Sequence, residues 1–363
     1  MSICIGLSGS SGFIGTSFQS YLQRRGIPCF QLLRHSLPTT TPRAIGPLNG
    51  TPIPPIALEG CAVVIHAAAR AHILHETDPD PLATFRLANT ASTLRLAEAA
   101  ISAGVRRFVF LSSIGVLGNH SSSQPLRPAV QANPVEDYAR SKAEAEDGLR
   151  ALSEQSGMEL VIVRPPLVHG PGAKGNFHRL MAAIHAGKRL PLGGVCNRRS
   201  FVGVENLADA LLVAATAELP GDGVGTDRAG EDAISNGSNT QGVQIQGTPI
   251  ATRPTEVGRP CRLKPALRSS RSRTYHIADD GVISMRRLVE VLAEGMGVRP
   301  RLIHMPRWLA VGGATLLGKG AMARRLFDDL EVDDSDFRRD FAWKPKVGLE
   351  DGLRAMARAY VAR

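Results

Sequence analysis

The stretch Ile3-Cys4-Ile5-Gly6-Leu7-Ser8-Gly9-Ser10-Ser11-Gly12-Phe13-Ile14-Gly15-Thr16 decides the fold. Ile3 to Leu7 is short and apolar, as a buried strand requires, and glycines at 9, 12 and 15 follow at once. Thr16 to Arg25 then sets Phe18, Tyr21 and Leu22 on one helical face. A strand, a glycine-rich turn and a helix in this order allow the backbone to approach a pyrophosphate closely while the helix N-terminus faces the anion. Glycine-rich turns alone are ordinary loops. The flanking strand and helix make dinucleotide binding the reading here.

Outward from this unit the pattern repeats. Cys29 to Leu33 reads as a second strand, a Pro- and Thr-rich passage runs from Leu37 to Pro55, and Ala62 to Ala68 is apolar enough for a strand buried on both faces. A helix is predicted over Pro81 to Ala103, ended by Gly104, then a strand over Phe108 to Leu111, a helix over Tyr138 to Gln155 and a strand over Leu160 to Arg164. This alternation predicts an α/β chain with a doubly wound parallel sheet. The expected dinucleotide-binding domain is 1–170, completed by roughly 200–219 and 274–295, where Thr274 to Ile277 reads as a strand and Ser284 to Gly295 as a helix. Residues 171–199 and 296–363 are expected to form a smaller substrate-binding part. Between them, 220–273 is rich in Gly, Ser, Thr, Asn, Pro and Arg, buries too little apolar surface to offset its ordering entropy, and is expected to be a disordered insertion.

The chain has 363 residues, of which 43% are hydrophobic and 21% charged, which fits a folded soluble protein rather than a disordered or polytopic one. Forty-three Lys and Arg against 33 Asp and Glu give a net charge of +10, which favours anionic ligands. No basic stripe interleaved with aromatics supports nucleic-acid binding. The five cysteines, at 4, 29, 61, 196 and 261, lack CxxC spacing, so neither a metal site nor a disulfide framework is expected, and a reducing, cytoplasmic setting is. Met1 to Gly6 lacks the basic and apolar regions of a secretory signal. The apolar run from Trp308 to Leu317 falls short of the roughly 20 residues of a membrane span. It reads as a core helix, with peripheral membrane contact as the only membrane role left open.

Tyr138-Ala139-Arg140-Ser141-Lys142 carries the chemistry. Positions i and i+4 share a helix face, and an ammonium close to a phenol favours the phenolate. The bland alternative is a solvent-facing, charge-laced helix. Ser112 and Ser113 shift the balance, because they follow a predicted strand at the carboxyl end, where ligands bind in such sheets.

With these motifs in order, the chain resembles the extended short-chain dehydrogenases/reductases of the NAD-dependent epimerase/dehydratase family over nearly everything except 220–273. The resemblance is carried by the glycine motif, Val64 to Ala69, Asn89, Phe110 to Gly118, Tyr138 to Lys142 and Arg164 to Gly172. It implies Ser113, Tyr138 and Lys142 as catalytic residues. It implies a nicotinamide dinucleotide held by Gly9, Gly12, Phe13, Ile14, Gly15, Arg34, Ala67, Ala68, Ala69, Asn89, Ser112, Tyr138, Lys142 and Pro165. Gly175-Asn176-Phe177 and Asn197 to Phe201 resemble a bacterial surface-polysaccharide subgroup, which places Ser113, Asn176 and Arg199 on the substrate.

The departures from the family pattern are informative. Arg34 stands near the end of the second strand where many members carry an acid, and a cation there suits the 2′-phosphate of NADP over NAD. The acid expected near Gly46-Pro47 is missing, Leu117 replaces a Tyr, and His169 replaces another and reads as a packing histidine. The resemblance implies action at C4 of a UDP-hexose, as in UDP-glucose or UDP-N-acetylglucosamine 4-epimerases. A reductase of a UDP-4-keto-6-deoxy sugar and a redox-dead dinucleotide-binding regulator are the alternatives, and intact Ser113, Tyr138 and Lys142 oppose the second. A homodimer is implied by the resemblance alone, and the sequence leaves nucleotide-linked and lipid-linked diphospho-sugars both open.

Overall fold

The computed structural model describes residues 3–33, 43–44, 53–71, 78–220, 271–316, 320 and 326–362. Seven strands, β1 (Ile5–Ser8), β2 (Cys29–Leu33), β3 (Arg43–Ala44), β4 (Val63–His66), β5 (Arg107–Leu111), β6 (Glu159–Arg164) and β10 (Ser272–His276), form one sheet in the order β10-β6-β5-β4-β1-β2-β3. Every pairing in it is parallel, with Ile5 opposite both Cys29 and Val63. The order reverses direction beside β1, so the chain winds out to one edge and then to the other. This is the doubly wound sheet that the alternating pattern predicts.

Strand periodicity places the core. Ile5, Leu7, Val63, Ile65, Val109, Val161 and Val163 face one side, against Phe18, Tyr21 and Leu22 of α1 (Phe13–Gln23) and Leu207 and Leu211 of α6 (Val204–Thr216). Val64, Phe108, Phe110, Leu160 and Ile162 face the other, against Leu96, Ala97 and Ala100 of α3 (Ser92–Ser102) and Ala145 and Leu149 of α4 (Asp137–Ser156). Both faces are covered, which explains the unbroken apolar runs.

A separate apolar cluster joins Phe177, Met181 and Ile184 of α5 (Asn176–His185) to Leu288 and Leu292 of α7 (Met285–Met296) and to Leu353 and Met356 of the helix Leu349–Val361. Two small parallel pairs flank it, β7 (Leu167–His169) with β9 (Phe201–Gly203) and β8 (Arg189–Leu190) with β11 (Arg301–Leu302). Of the stretch read as an insertion, Ser272 and Arg273 belong to β10, whereas 221–270 lie outside the described residues.

The expected helix over Pro81 to Ala103 is not one regular helix. It runs as α2 (Pro81–Phe85), a π turn over Arg86–Ala91 and then α3. The helix after the glycine turn starts at Phe13, three residues before the sequence reading, because the glycine-rich turn carries no apolar periodicity to register. The late apolar run is also corrected: it forms α8 (Arg307–Leu316), but Trp308 and Leu309 are exposed rather than in the core.

Candidate active site

The carboxyl ends of β1, β4, β5 and β6 lead into the glycine turn, Ala67–Ala69, Ser112–Ser113 and Pro165, all at one edge of the sheet. Gly9 has φ +78°, and a Cβ there would stand 2.5 Å from the Ala68 amide nitrogen. Only glycine lets the turn lie against Ala67 and Ala68 at the end of β4. A Cβ on Gly15 would run into the Gly9 carbonyl oxygen, so α1 is pressed onto the same turn. Gly12 is the N-cap of α1 and no side chain caps this helix. The Ser10 hydroxyl is buried and has no hydrogen-bond partner among the described residues. An uncapped helix start beside an orphaned hydroxyl is what a dinucleotide pyrophosphate requires, and the residues present fit that group. Phe13 reaches toward Gly170, and Ile14 packs with the core under the sheet.

Ser113 follows β5 by two residues and caps a short 3-10 turn, Ile114–Leu117, by accepting from the Gly115 amide at 3.1 Å. A Cβ placed on Gly115 would lie 3.4 Å from Ser113 Oγ and 3.6 Å from Ala139 Cβ, so the serine and the first turn of α4 share one glycine as their spacer. The Ile114 amide donates to the Pro165 carbonyl at 3.0 Å, which ties this turn to the end of β6. Tyr138 and Lys142 stand on the same face of α4, as their spacing predicts.

Their electrostatics depart from expectation. Burial pushes the Tyr138 hydroxyl up to about 12, and burial lowers Lys142 to about 7, with Glu146 opposing the fall. Lys142 Nζ donates to the Leu111 carbonyl at 2.8 Å and lies 4.3 Å from the centre of the Phe110 ring. The four-carbon stem carries the ammonium down to a buried acceptor on β5. A shared helix face is thus necessary for the pair but does not by itself bring the ammonium to the phenol.

Two buried groups went unread in the sequence. Glu146, one further helical step past Lys142, accepts from Ser112 Oγ at 2.6 Å, from Arg164 at 2.9 and 2.5 Å and from Arg150 at 2.9 Å. Burial alone would raise its pKa, but the Arg164 fork, the Ser112 hydroxyl and Arg150 outweigh it and hold the carboxyl below its ordinary range. The network pins Ser112, and through it Ser113, to α4 and β6. A carboxylate at i, i+4, i+8 register with Tyr138 and Lys142 was the signal available. His66, at the end of β4, lies 2.5 Å from Ser8 Oγ and 2.9 Å from Thr93 Oγ1, and burial together with Lys142 lowers it to about 3, so the ring is neutral.

Asn89 sits fully buried in the π turn. Its Oδ1 accepts from the Arg70 amide at 2.8 Å, and its Nδ2 donates to the Arg70 carbonyl at 3.1 Å and to Ser141 Oγ at 3.0 Å. It thereby fastens the Ala67–Ala68–Ala69 loop to α4 beside Lys142. Asn176 is exposed at the start of α5, and Arg199 donates from Nη1 to the Asp328 carbonyl at 3.2 Å while its backbone pairs with Ile283. His169 is buried with Nε2 2.8 Å from Asp279 Oδ2, and Asp279 also accepts from the Gly203 amide and from Asn206, a packing arrangement. Arg34 and Gly46-Pro47 lie outside the described residues.

A profile of the NAD dependent epimerase/dehydratase family matches residues 5–224. A UDP-glucose 4-epimerase of Vibrio cholerae is 29% identical over 360 residues, 98% of this chain and 94% of that one. An Escherichia coli O157:H7 protein named N-acetyl-alpha-D-glucosaminyl-diphospho-ditrans,octacis-undecaprenol 4-epimerase is 29% identical over 212 residues, 56% of this chain and 60% of its own. Among solved structures, the UDP-glucose 4-epimerase of Thermotoga maritima with UDP-glucose superposes with a TM-score of 0.67 at 18% identity, covering 99% of this chain and 98% of that one. RMD from Pseudomonas aeruginosa complexed with NADPH gives 0.65 at 18% identity, covering 99% and 100%. At such identities these structures establish the fold.

Proposed function

The chain belongs to the NAD dependent epimerase/dehydratase family, and from that premise we propose that it exchanges hydrogen at C4 of a UDP-hexose, in the manner of a UDP-glucose or UDP-N-acetylglucosamine 4-epimerase. The observation that carries this reading is the placing of a half-buried Tyr138 and a buried Lys142 one helical turn apart on α4, with Ser113 held against the first turn of the same helix through Gly115. The names of the Vibrio cholerae and Thermotoga maritima proteins support the substrate class. The Escherichia coli name supports a diphospho-sugar more broadly.

Gly9, Gly12, Phe13, Ile14 and Gly15 would hold the pyrophosphate, and Ala67, Ala68 and Ala69, framed by Asn89, would line the adjoining wall. Ser112 and Pro165 set the floor through the Glu146 network and the Ile114 bond. A bound nicotinamide supplies hydride acceptance and return. Ser113 Oγ donates to the sugar O4 and fixes its direction. Tyr138 takes the O4 proton and later gives one back, which requires its high hydroxyl pKa to fall when the site is complete. Lys142, freed from Leu111 by rotation about its stem, is the cation placed to lower it and to hold the cofactor ribose. Arg199 and Asn176 would receive the diphosphate, a guanidinium fork being apt for phosphate oxygens. Arg34 would favour a 2′-phosphate.

Purified protein incubated with UDP-glucose, UDP-N-acetylglucosamine and a UDP-4-keto-6-deoxy sugar tests the proposal. Production of the C4 epimer without net change in nicotinamide absorbance is expected. Stoichiometric NADPH oxidation by the keto sugar alone would instead establish a reductase, and no turnover of any of them would remove the proposal.

A further inference from the structure

We propose that the amino-terminal part of α8 is a membrane-docking face for an anionic lipid bilayer. Trp308 is 73% exposed, Leu309 46%, Ile303 39% and Leu326 38%. Scattered apolar residues on a surface are ordinary, but these four belong to one region. Ile303 precedes α8 by four residues, Arg307 in its first turn reaches Asp328 at 2.6 Å, and Asn197 Nδ2 holds the Leu326 and Asp328 carbonyls at 3.1 and 3.0 Å.

Charge selects the occupant. Arg299, Arg301, His304 and Arg307 are exposed along the stretch that leads into and opens α8, and no carboxylate pairs with Arg299 or Arg301 among the described residues. Arg307 keeps its partner Asp328. A short helix with an aromatic residue at one end and guanidinium groups beside it suits the headgroup region, where the indole sits at the boundary and cations meet phosphate. The net charge of +10 acts in the same direction at longer range. With ten residues α8 is too short to span, and among the described residues no helix is long and apolar enough to cross a membrane. A cleft of about 450 Å³ is lined by Ser121, Ser122, Arg307, Phe327 and Asp328, and it lies between α8 and the loop that follows the turn after Ser113.

The docking does not depend on which sugar is turned over, because it is read without turnover. The chain has two tryptophans, and Trp343 is buried with its indole N–H on Asp209. Intrinsic fluorescence with phosphatidylglycerol vesicles therefore reports on Trp308. A blue shift is expected, lost in Trp308→Phe only in so far as it comes from the indole, together with co-sedimentation that weakens as salt is raised. Phosphatidylcholine vesicles should bind about tenfold more weakly or less still. The double variant Trp308→Ser, Leu309→Ser should lose roughly tenfold or more in partitioning, since apolar burial drives insertion. Turnover of a soluble UDP-sugar should remain unchanged in it. Arg301→Glu, whose apolar residues are intact, should weaken binding to the anionic vesicles alone. Pelleting of the double variant equal to that of the parent would overturn the proposal. So would a blue shift that grows with protein concentration in the absence of vesicles, which would assign the face to a second copy of the chain.

Discussion

At the scale of single residues the proposed chemistry rests on one oxygen. Tyr138→Phe removes the phenol hydroxyl and little surface, so turnover should fall at least 100-fold while dinucleotide affinity measured by titration changes less than about twofold. Near-normal turnover would remove Tyr138 from the mechanism. Arg34→Glu should weaken NADPH more than NADH, by roughly tenfold or more, because it replaces a cation suited to the 2′-phosphate with a like charge. Equal losses would reduce Arg34 to a surface charge. His66 gives an acid-stability prediction. Its folded pKa of about 3 and that of about 4 for His276, both lowered chiefly by burial, lie below the unfolded value of about 6.5. The unfolded chain therefore binds more protons between those limits, and stability is complete above about pH 6.5 and is lost as pH falls. Between pH 6.5 and 5 each histidine should cost roughly 2 kcal/mol, and His66→Gln should flatten the fall in thermal midpoint. Parallel curves for parent and variant would refute this. Ser113, Tyr138 and Lys142 could be proposed from the sequence because each sits at a position the strand and helix periods define, and the turnover of Tyr138→Phe tests that assignment. Glu146 was not, since a single acid in a charge-rich helix looks solvated until Arg164 on β6 is seen to bury it.

At the scale of elements, the π turn over Arg86–Ala91 shows why periodicity reads existence better than detail. One extra residue in a turn barely disturbs an apolar stripe, yet it turns Asn89 inward. That side chain makes three hydrogen bonds that join the loop after β4 to α4. Asn89→Ala should remove the side-chain partner of the part-buried Arg70 amide and carbonyl and lower stability by about 2 kcal/mol, seen as a fall of roughly 3 °C in thermal midpoint. It should also weaken dinucleotide affinity in titration more than it lowers kcat, since in the proposed reading the loop faces the cofactor and not O4. A variant with unaltered midpoint would show that the turn is held by its backbone alone. The same reasoning explains α8. The apolar and small residues that follow Arg307 give the same pattern for a core helix and a surface one, and only the exposure of Trp308 and Leu309 separates them.

At the scale of the whole molecule, the sheet has two ends with different duties. The candidate site occupies the carboxyl ends of the strands, whereas the end of α6 and the start of β10, which flank 221–270 in the sequence, are fixed at the amino ends. Arg107, at the start of β5, donates to the Ala214 and Ala217 carbonyls at 2.8 and 2.6 Å and so fixes the end of α6 just before Leu219. The Leu160 amide, near the start of β6, donates to the Arg271 carbonyl at 3.0 Å, which fixes the return of the chain into β10. Two strand spacings, about 10 Å in all, separate β5 from β10, so a six-residue Gly-Ser link at up to about 3.3 Å per residue reaches easily from Pro220 to Arg271. Loop closure depends only logarithmically on length, each doubling contributing about 0.6 kcal/mol, so the shortened connection carries little entropic change and a slightly favourable one. Replacing 221–270 by such a link should therefore leave the thermal midpoint within about 4 °C of the parent and C4 turnover within about threefold. Loss of folding would show that the segment supplies core to the sheet. A folded but inactive deletion would show that it reaches the substrate, and either outcome would return 221–270 to the substrate-binding part.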